Sequence, residues 1–327
     1  MKILIVGCGS IGERHLKNLQ TFFEGKITVT DTDENKLQNI KKKYNVATYI
    51  NYTEALKTKP DGVIVCTPTN THIDIATKAL QSNSHVFIEK PLSNKLNGVD
   101  ELVQLGKKKN KIIYIGFNLH FDSCLNQVKK WIDEGKIGDI VSAKVHFGYS
   151  FLKRKVGTDY RNDYAGKESM GGGVILDVIH EIEYLTWLLG DAEEVFCYAD
   201  TLSQLEIDVE DITEILFKFK NNAIGSVHLD FMQLPYTRYC MLIGLNGTIE
   251  WNFAESTAKV YDTTKDEWQL FNGDKDWNSM YLKEIQHFIA CIKKEDKPVI
   301  AVKKAKGILE IALAAKESSK IKKVIKL

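Results

Sequence analysis

A short apolar, β-branched run at the start of the chain, Lys2-Ile3-Leu4-Ile5-Val6, ends without a spacer in Gly7-Cys8-Gly9-Ser10-Ile11-Gly12, and an amphipathic helical pattern begins at once. Few folds accept a strand, a G-x-G-x-x-G turn and a helix in that order. Gly7 suits the tight turn, Gly9 leaves the backbone bare where a pyrophosphate can approach, and Gly12 lets the helix pack closely on the strand. The first-turn amides around Ser10 and Ile11 then face the phosphates. A second strand, Ile27-Thr28-Val29-Thr30, ends in Asp31, about 20 residues beyond the glycines, where an acid binds the ribose hydroxyls of a dinucleotide. Asp31 also suits a turn ahead of Asp33-Glu34. As a ribose ligand its carboxylate would repel the 2′-phosphate of NADP, and the next residue is Thr32 rather than an arginine, so NAD is expected and NADP is disfavoured.

The pattern repeats. Strands are expected at Gly62-Val63-Ile64-Val65-Cys66, Val86-Phe87-Ile88 and Ile112-Ile113-Tyr114-Ile115, with helices over 71–80 and 94–109 between them. Alternation of this kind implies a parallel, doubly wound sheet, whose ligands bind beyond the carboxyl ends of the strands. Thr67, Pro68, Asn70, His72, Glu89 and Lys90 stand at those ends and are candidates for cofactor contact. A chain of 327 residues exceeds one ordinary core, so two domains are expected. With 44 basic against 43 acidic residues it carries no electrostatic footprint for nucleic acid or an anionic membrane. No apolar run reaches the ~20 residues that cross a bilayer. Six scattered cysteines without a C-x-x-C pair read as free thiols in a reducing cytoplasm.

Beyond residue 120 the periodicity changes. A helix over 121–134 precedes β-rich stretches at 140–149, 194–198, 214–219, 224–231 and 241–251, which imply an antiparallel or mixed sheet. Among them, Gly171-Gly172-Gly173 opens a segment to Gly190 whose apolar residues recur at helical spacing. One helix is expected there, with Asp177 and His180 on adjacent turns of one face. A histidine of near-neutral pKa suits proton removal from an alcohol as hydride leaves its carbon. His180-Glu181 would need a second histidine at position 184 to bind zinc as a protease does; that residue is Tyr184, and no metal site is expected. Tyr160, Arg161 and Tyr164, upstream of the glycines, and Asn118 with His120, after the last parallel strand, are candidates for substrate contact, with packing roles equally open.

These landmarks resemble the glucose-fructose oxidoreductase and inositol dehydrogenase family (Gfo/Idh/MocA) nearly end to end: the glycine turn, Cys66-Thr67-Pro68-Thr69-Asn70-Thr71-His72, Glu89-Lys90-Pro91, Gly116-Phe117-Asn118, the triple glycine with Asp177 and His180, and Tyr281-Leu282-Lys283-Glu284 with Phe288. The resemblance implies a Rossmann domain over 1–118 and an α+β substrate domain over 119–327, the latter built on a large sheet that also joins subunits into a homodimer or homotetramer. It implies that Lys90 sits beside the nicotinamide and orients the substrate hydroxyl, with Pro91 fixing the turn. The usual family spacing is D-x-x-x-H; here Asp177-Val178-Ile179-His180 is one residue shorter, which makes His180 the surer of the two and resembles a subgroup linked to bacterial surface sugars. The expected activity is NAD-dependent hydride transfer at a secondary hydroxyl of a sugar, polyol or sugar derivative. The alternatives are a reductase of a biliverdin- or imine-like substrate and a non-catalytic NAD-binding sensor. Replacing Asp31 by Ser together with Thr32→Arg should shift coenzyme preference toward NADP, read as the ratio of kcat/KM for the two coenzymes; an unchanged ratio would remove Asp31 from ribose recognition.

Overall fold

The structure, a computed structural model, describes residues 1–153 and 159–327. Over the first third the expected alternation is realised: β1 (Lys2–Val6), α1 (Ser10–Phe22), β2 (Lys26–Thr30), α2 (Glu34–Tyr44), β3 (Ala47–Tyr49), α3 (Tyr52–Leu56), β4 (Gly62–Val65), α4 (His72–Gln81), β5 (His85–Glu89), α5 (Val99–Lys109) and β6 (Ile113–Gly116). The strands pair in parallel in the order β3-β2-β1-β4-β5-β6, and the order reverses between β1 and β4. Ligands of such a sheet bind at this reversal. Lys41, Lys42 and Lys43 fall in the last turn of α2, and Lys107, Lys108 and Lys109 in that of α5, where cations complement the helix dipole.

After α6 (Ser123–Asp133) come β7 (Ile140–Gly148), α7 (Val174–Asp177), α8 (His180–Leu189), β8 (Ala192–Asp200), β9 (Ile212–Phe219), β10 (Ile224–Asp230), β11 (Thr237–Gly244), β12 (Gly247–Asn252), β13 (Thr257–Asp262) and β14 (Glu267–Asn272), then α9 (Asn278–Lys293), α10 (Val302–Ile321) and β15 (Ile325–Lys326). The nine strands β7 to β15 form one sheet in the order β14-β13-β12-β11-β7-β10-β9-β8-β15, with only β7 and β10 parallel. On β7, Ala143, Val145 and Phe147 are buried beneath the helices while Ser142, Lys144 and His146 point to the opposite, open face. None of the described helices is long and apolar enough to cross a membrane.

Three expectations are corrected. The stretch 241–251 is not one strand: β11 and β12 form a hairpin closed by the Gly244↔Gly247 pair, and the pairing of β11 with β7 shifts register between Ile243 and Gly244. The single helix expected over the segment to Gly190 is two. The Val178 amide closes α7 on the Val174 carbonyl, Val178 leaves helical geometry at φ −107° and ψ 31°, and α8 starts afresh at His180. Asp177 and His180 therefore flank a break rather than occupying adjacent turns of one helix.

The domain boundary is also revised, because the chain divides into 1–118 with 278–309, and 119–277 with 310–327. A continuous second domain over 119–327 does not hold. The reason is burial: Ile285, Phe288 and Ile289 of α9 join Ile3, Ile5, Leu16, Leu19, Phe87 and Tyr114 in the core of the first unit. The Phe288 ring meets those of Phe87 and Tyr114 at 5.5 and 5.6 Å between centroids. Phe288→Ala should cost about 3–5 kcal/mol and weaken NAD binding with it. Denaturation midpoints and calorimetric NAD titration of the same variant test this; an unchanged midpoint would mean that α9 is not integral to the first unit.

Candidate functional site

In the first unit the β1–α1 turn is shaped by backbone touching backbone. Gly7 has φ +99°, and a Cβ there would stand 2.6 Å from the Cys66 carbonyl oxygen. A Cβ on Gly12 would collide with the Gly7 carbonyl oxygen, so any larger residue would push α1 off the sheet. Gly9 behaves differently: a Cβ there would meet nothing within 4 Å, and Gly9 caps α1 with no side chain bonded to the first-turn amides. Those amides, with exposed Ser10 and half-buried Ile11 beside them, leave the positive helix end available to an anion. Asp31 Oδ2 accepts from the Cys8 amide at 2.7 Å and Oδ1 from the Asp33 amide at 3.0 Å. A carboxylate so fixed has lone pairs left for two ribose hydroxyls. The residues present fit a dinucleotide that carries a free 2′-hydroxyl.

Along the other strand ends, Thr67 and Pro68 are half-buried and Asn70 is exposed, while Lys90 is half-buried at the end of β5 and joined to Pro91 by a cis peptide bond. His72 and Glu89, expected as cofactor contacts, turn inward. His72 is 1% exposed, with Nδ1 and Nε2 each 2.9 Å from a backbone carbonyl, of Pro91 and Thr67 respectively. Burial pushes its pKa below the usual imidazole value even though both carbonyls favour the charged ring. It ties the loop after β4 to the Lys90-Pro91 turn. Glu89 lies 2.6 Å from His15 Nε2 of α1, so its carboxyl anchors the same turn from behind. Glu284 of α9 completes this cluster: it is 1% exposed, and neither of its oxygens has a partner among the described residues. Burial, aided by the charge of Glu89, drives its pKa well above the usual carboxylate range.

In the second unit the triple glycine does geometric work. Gly173, at φ +104°, donates its amide to the Ala165 carbonyl at 2.9 Å, and a Cβ on Gly172 would collide with the carbonyls of Tyr164 and Ala165. This contact brings Tyr164 to Asp177: the Tyr164 hydroxyl donates to Asp177 Oδ1 at 2.9 Å and that of Tyr149 to Oδ2 at 3.3 Å. His180 opens α8 and is 8% exposed. Its neighbour Glu181 takes a two-point ion pair from Arg238 of β11, at 2.6 and 3.1 Å, with the guanidinium between the Phe147 and Phe253 rings. Burial opposes the Arg238 charge, but Glu181 more than offsets it and holds the pKa above its ordinary value. His120 has its Nε2 2.8 Å from Glu183 and its ring 4.1 Å from that of Trp187, which makes it a packed, oriented side chain. Tyr160 is half-buried with its hydroxyl accepting from the Glu206 amide, and Arg161 is exposed and paired with Asp159; Asn118, which belongs to the first unit, is buried.

A doubly wound sheet with a bare glycine turn, an uncapped helix start and an acid closing β2 defines the first unit as an NAD-binding Rossmann domain of the oxidoreductase class. Family models agree. Residues 1–117 match the NAD-binding Rossmann domain of the Gfo/Idh/MocA oxidoreductase family, and residues 125–250 match that family's C-terminal domain. The chain belongs to this family and is an NAD-dependent oxidoreductase. It is 29% identical to the myo-inositol 2-dehydrogenase of Thermotoga maritima, covering 100% of this chain and 98% of that one. It is 25% identical to the scyllo-inositol 2-dehydrogenase (NAD(+)) of Bacillus subtilis over 97% and 94% of the two chains. The fold also matches that of a levoglucosan dehydrogenase solved with NADH and levoglucosan, with a TM-score of 0.89 at 17% identity over 100% and 99% of the two chains.

Sequence reading missed several residues that shape these sites. His15 sits on an apolar helix face, and Tyr149 at a strand end, with no local signal that either meets a carboxyl group. Glu284 carried a signal, since an acid on the apolar stripe of a helix has to be paired or protonated. Because its folded pKa exceeds its unfolded value of about 4.5, Glu284 contributes stability that is complete below that value and is lost as pH rises toward the folded one. Glu284→Gln cannot ionise and should flatten this decline, so its Tm should gain on the parent steadily as pH rises from 4.5. Calorimetry across that range would reject the idea if the two Tm curves ran parallel.

Proposed function

We propose that this chain is a reversible NAD-dependent dehydrogenase of a secondary hydroxyl in a polyol, a sugar or a sugar derivative. The observation that carries this reading is the end-to-end likeness to the myo-inositol 2-dehydrogenase of Thermotoga maritima, which spans both units. The bound nicotinamide supplies the hydride acceptor. In this reading Lys90 orients the substrate hydroxyl and stabilises negative charge on its oxygen, while His180 takes the hydroxyl proton as the carbonyl forms. Asp177, steadied by Tyr164 and Tyr149, supports that exchange, and the Arg238–Glu181 pair fixes the start of the helix that carries His180. Tyr160, Arg161, Asn118 and His120 are the residues proposed to shape substrate selection.

The shorter Asp177-to-His180 spacing favours a sugar of bacterial surface polymers. Exposed Tyr198, Leu216, Ile224 and Tyr239 on the open face of the large sheet favour a homodimer or homotetramer joined there. The six buried free thiols fit a reducing cytoplasm. Retention of both Lys90 and His180 argues against a biliverdin- or imine-type reductase and against a sensor without chemistry.

The test is absorbance at the NADH band while the protein and NAD are offered inositols, sugars, sugar acids and nucleotide sugars. Lys90→Ala and His180→Ala should each lower kcat by about 10²–10⁴ with NAD affinity little changed. Silence across the panel despite NAD binding would overturn the dehydrogenase reading, and full activity of either variant would remove that residue from the mechanism.

A further inference from the structure

The open face of the nine-stranded sheet, opposite the face that α7 and α8 cover, carries a row of polar side chains fixed by strand register. Glu214 on β9 stands across from His228 on β10, His228 from His146 on β7, and His146 from Tyr239 on β11. The two imidazoles stack at 4.5 Å between centroids and 17° between planes, and Tyr239 stacks on His146 at 5.1 Å. Asp230, two residues beyond His228 and hence on the same face, is 4% exposed. Its Oδ1 accepts from the Met232 and Gln233 amides at 2.7 and 2.6 Å, which aims Oδ2 at His228 Nε2, 3.1 Å away.

We propose that His146, His228 and Asp230 form a binding site for one divalent transition-metal ion of the zinc or cobalt class. One ring nitrogen of each histidine and a carboxylate oxygen of Asp230 lie within 4.8 Å of one another. Tetrahedral zinc with ~2.1 Å bonds needs donors roughly 3.4 Å apart, so the site closes by small rotations of two partly exposed rings. Two imidazoles and one carboxylate select a borderline transition metal over magnesium or calcium, and three protein ligands leave room for water or a fourth donor.

The outer contacts fit the same assignment. Glu214 lies 2.6 Å from His228 Nδ1, and a carboxylate there fixes the tautomer whose Nε2 lone pair faces the metal position. In the metal-free state the protonated ring donates to both Glu214 and Asp230, and metal uptake displaces the Nε2 proton. Gln233, whose amide donates to Thr237 at 2.7 Å, presents its Oε1 to His146 Nε2 at 2.5 Å and so holds the second ring. The three ligands come from β7 and β10, distant in sequence but neighbours in the sheet, so no short spacing announces them.

The experiment is calorimetric titration of the chelator-stripped full chain with zinc chloride, and with cobalt(II) chloride, whose visible absorption reports ligand geometry. One ion per chain is expected. His146→Ala and His228→Ala should each weaken binding by at least about 100-fold, and Glu214→Gln, an exposed outer partner, by about 10–100-fold; Lys144→Ala on the same face should bind as the parent does. Metal-free circular dichroism checks that each variant folds, and Glu214→Gln stands as the second test if a histidine variant does not. Failure of the parent to take up either ion, or equal uptake by the folded histidine variants, would overturn the assignment.

Discussion

The close approach of backbone to backbone at the β1–α1 turn is the constraint on which the first unit depends. Gly7 against the Cys66 carbonyl and Gly12 against the Gly7 carbonyl let α1 lie directly on the sheet. That seat leaves the start of α1 open to phosphate and carries His15 to Glu89. Glu89 in turn precedes Lys90, so the glycine turn and the lysine turn are braced through one buried hydrogen bond. His72 adds the second brace, from the loop after β4 to Pro91. Such orientation is what an oxidoreductase asks of its protein, since the hydride chemistry resides in the coenzyme.

The second unit solves its positioning problem with charge rather than with glycine alone. Glu181 and Arg238 form a buried two-point pair between α8 and β11, and breaking such a pair by removing one partner costs about 3–5 kcal/mol. The residue before Glu181 is His180, so the pair fixes the helix start that bears it. The break at Val178 frees Asp177 from that helix, and the hydroxyls of Tyr149 and Tyr164 hold its carboxyl instead.

The reach of sequence reasoning followed the range of the interaction. Lys2 to Asp31 was legible because glycine, an apolar run and a distal acid act over short separations. The helix expected through Asp177 and His180 was misread because apolar spacing continues across the Val178 break and only the hydrogen bonds change partner. The inward turn of His72 and Glu89 was not legible for a related reason: a place at a strand's end marks the binding edge, yet the side chain can turn either way. The continuous second domain failed because α9 spends its apolar face on Phe87 and Tyr114, a choice that its own sequence does not reveal.

By itself the sequence determined the strand and helix alternation of the first unit, the dinucleotide turn and the NAD class of the coenzyme, all consequences of local backbone geometry and residue chemistry. Tertiary structure alone decided which buried acids meet which partners, where α9 packs, and that His146, His228 and Asp230 share one face of a sheet. Those pairings join residues far apart in the chain, and strand register and core packing, not local propensity, bring them within a hydrogen bond's length.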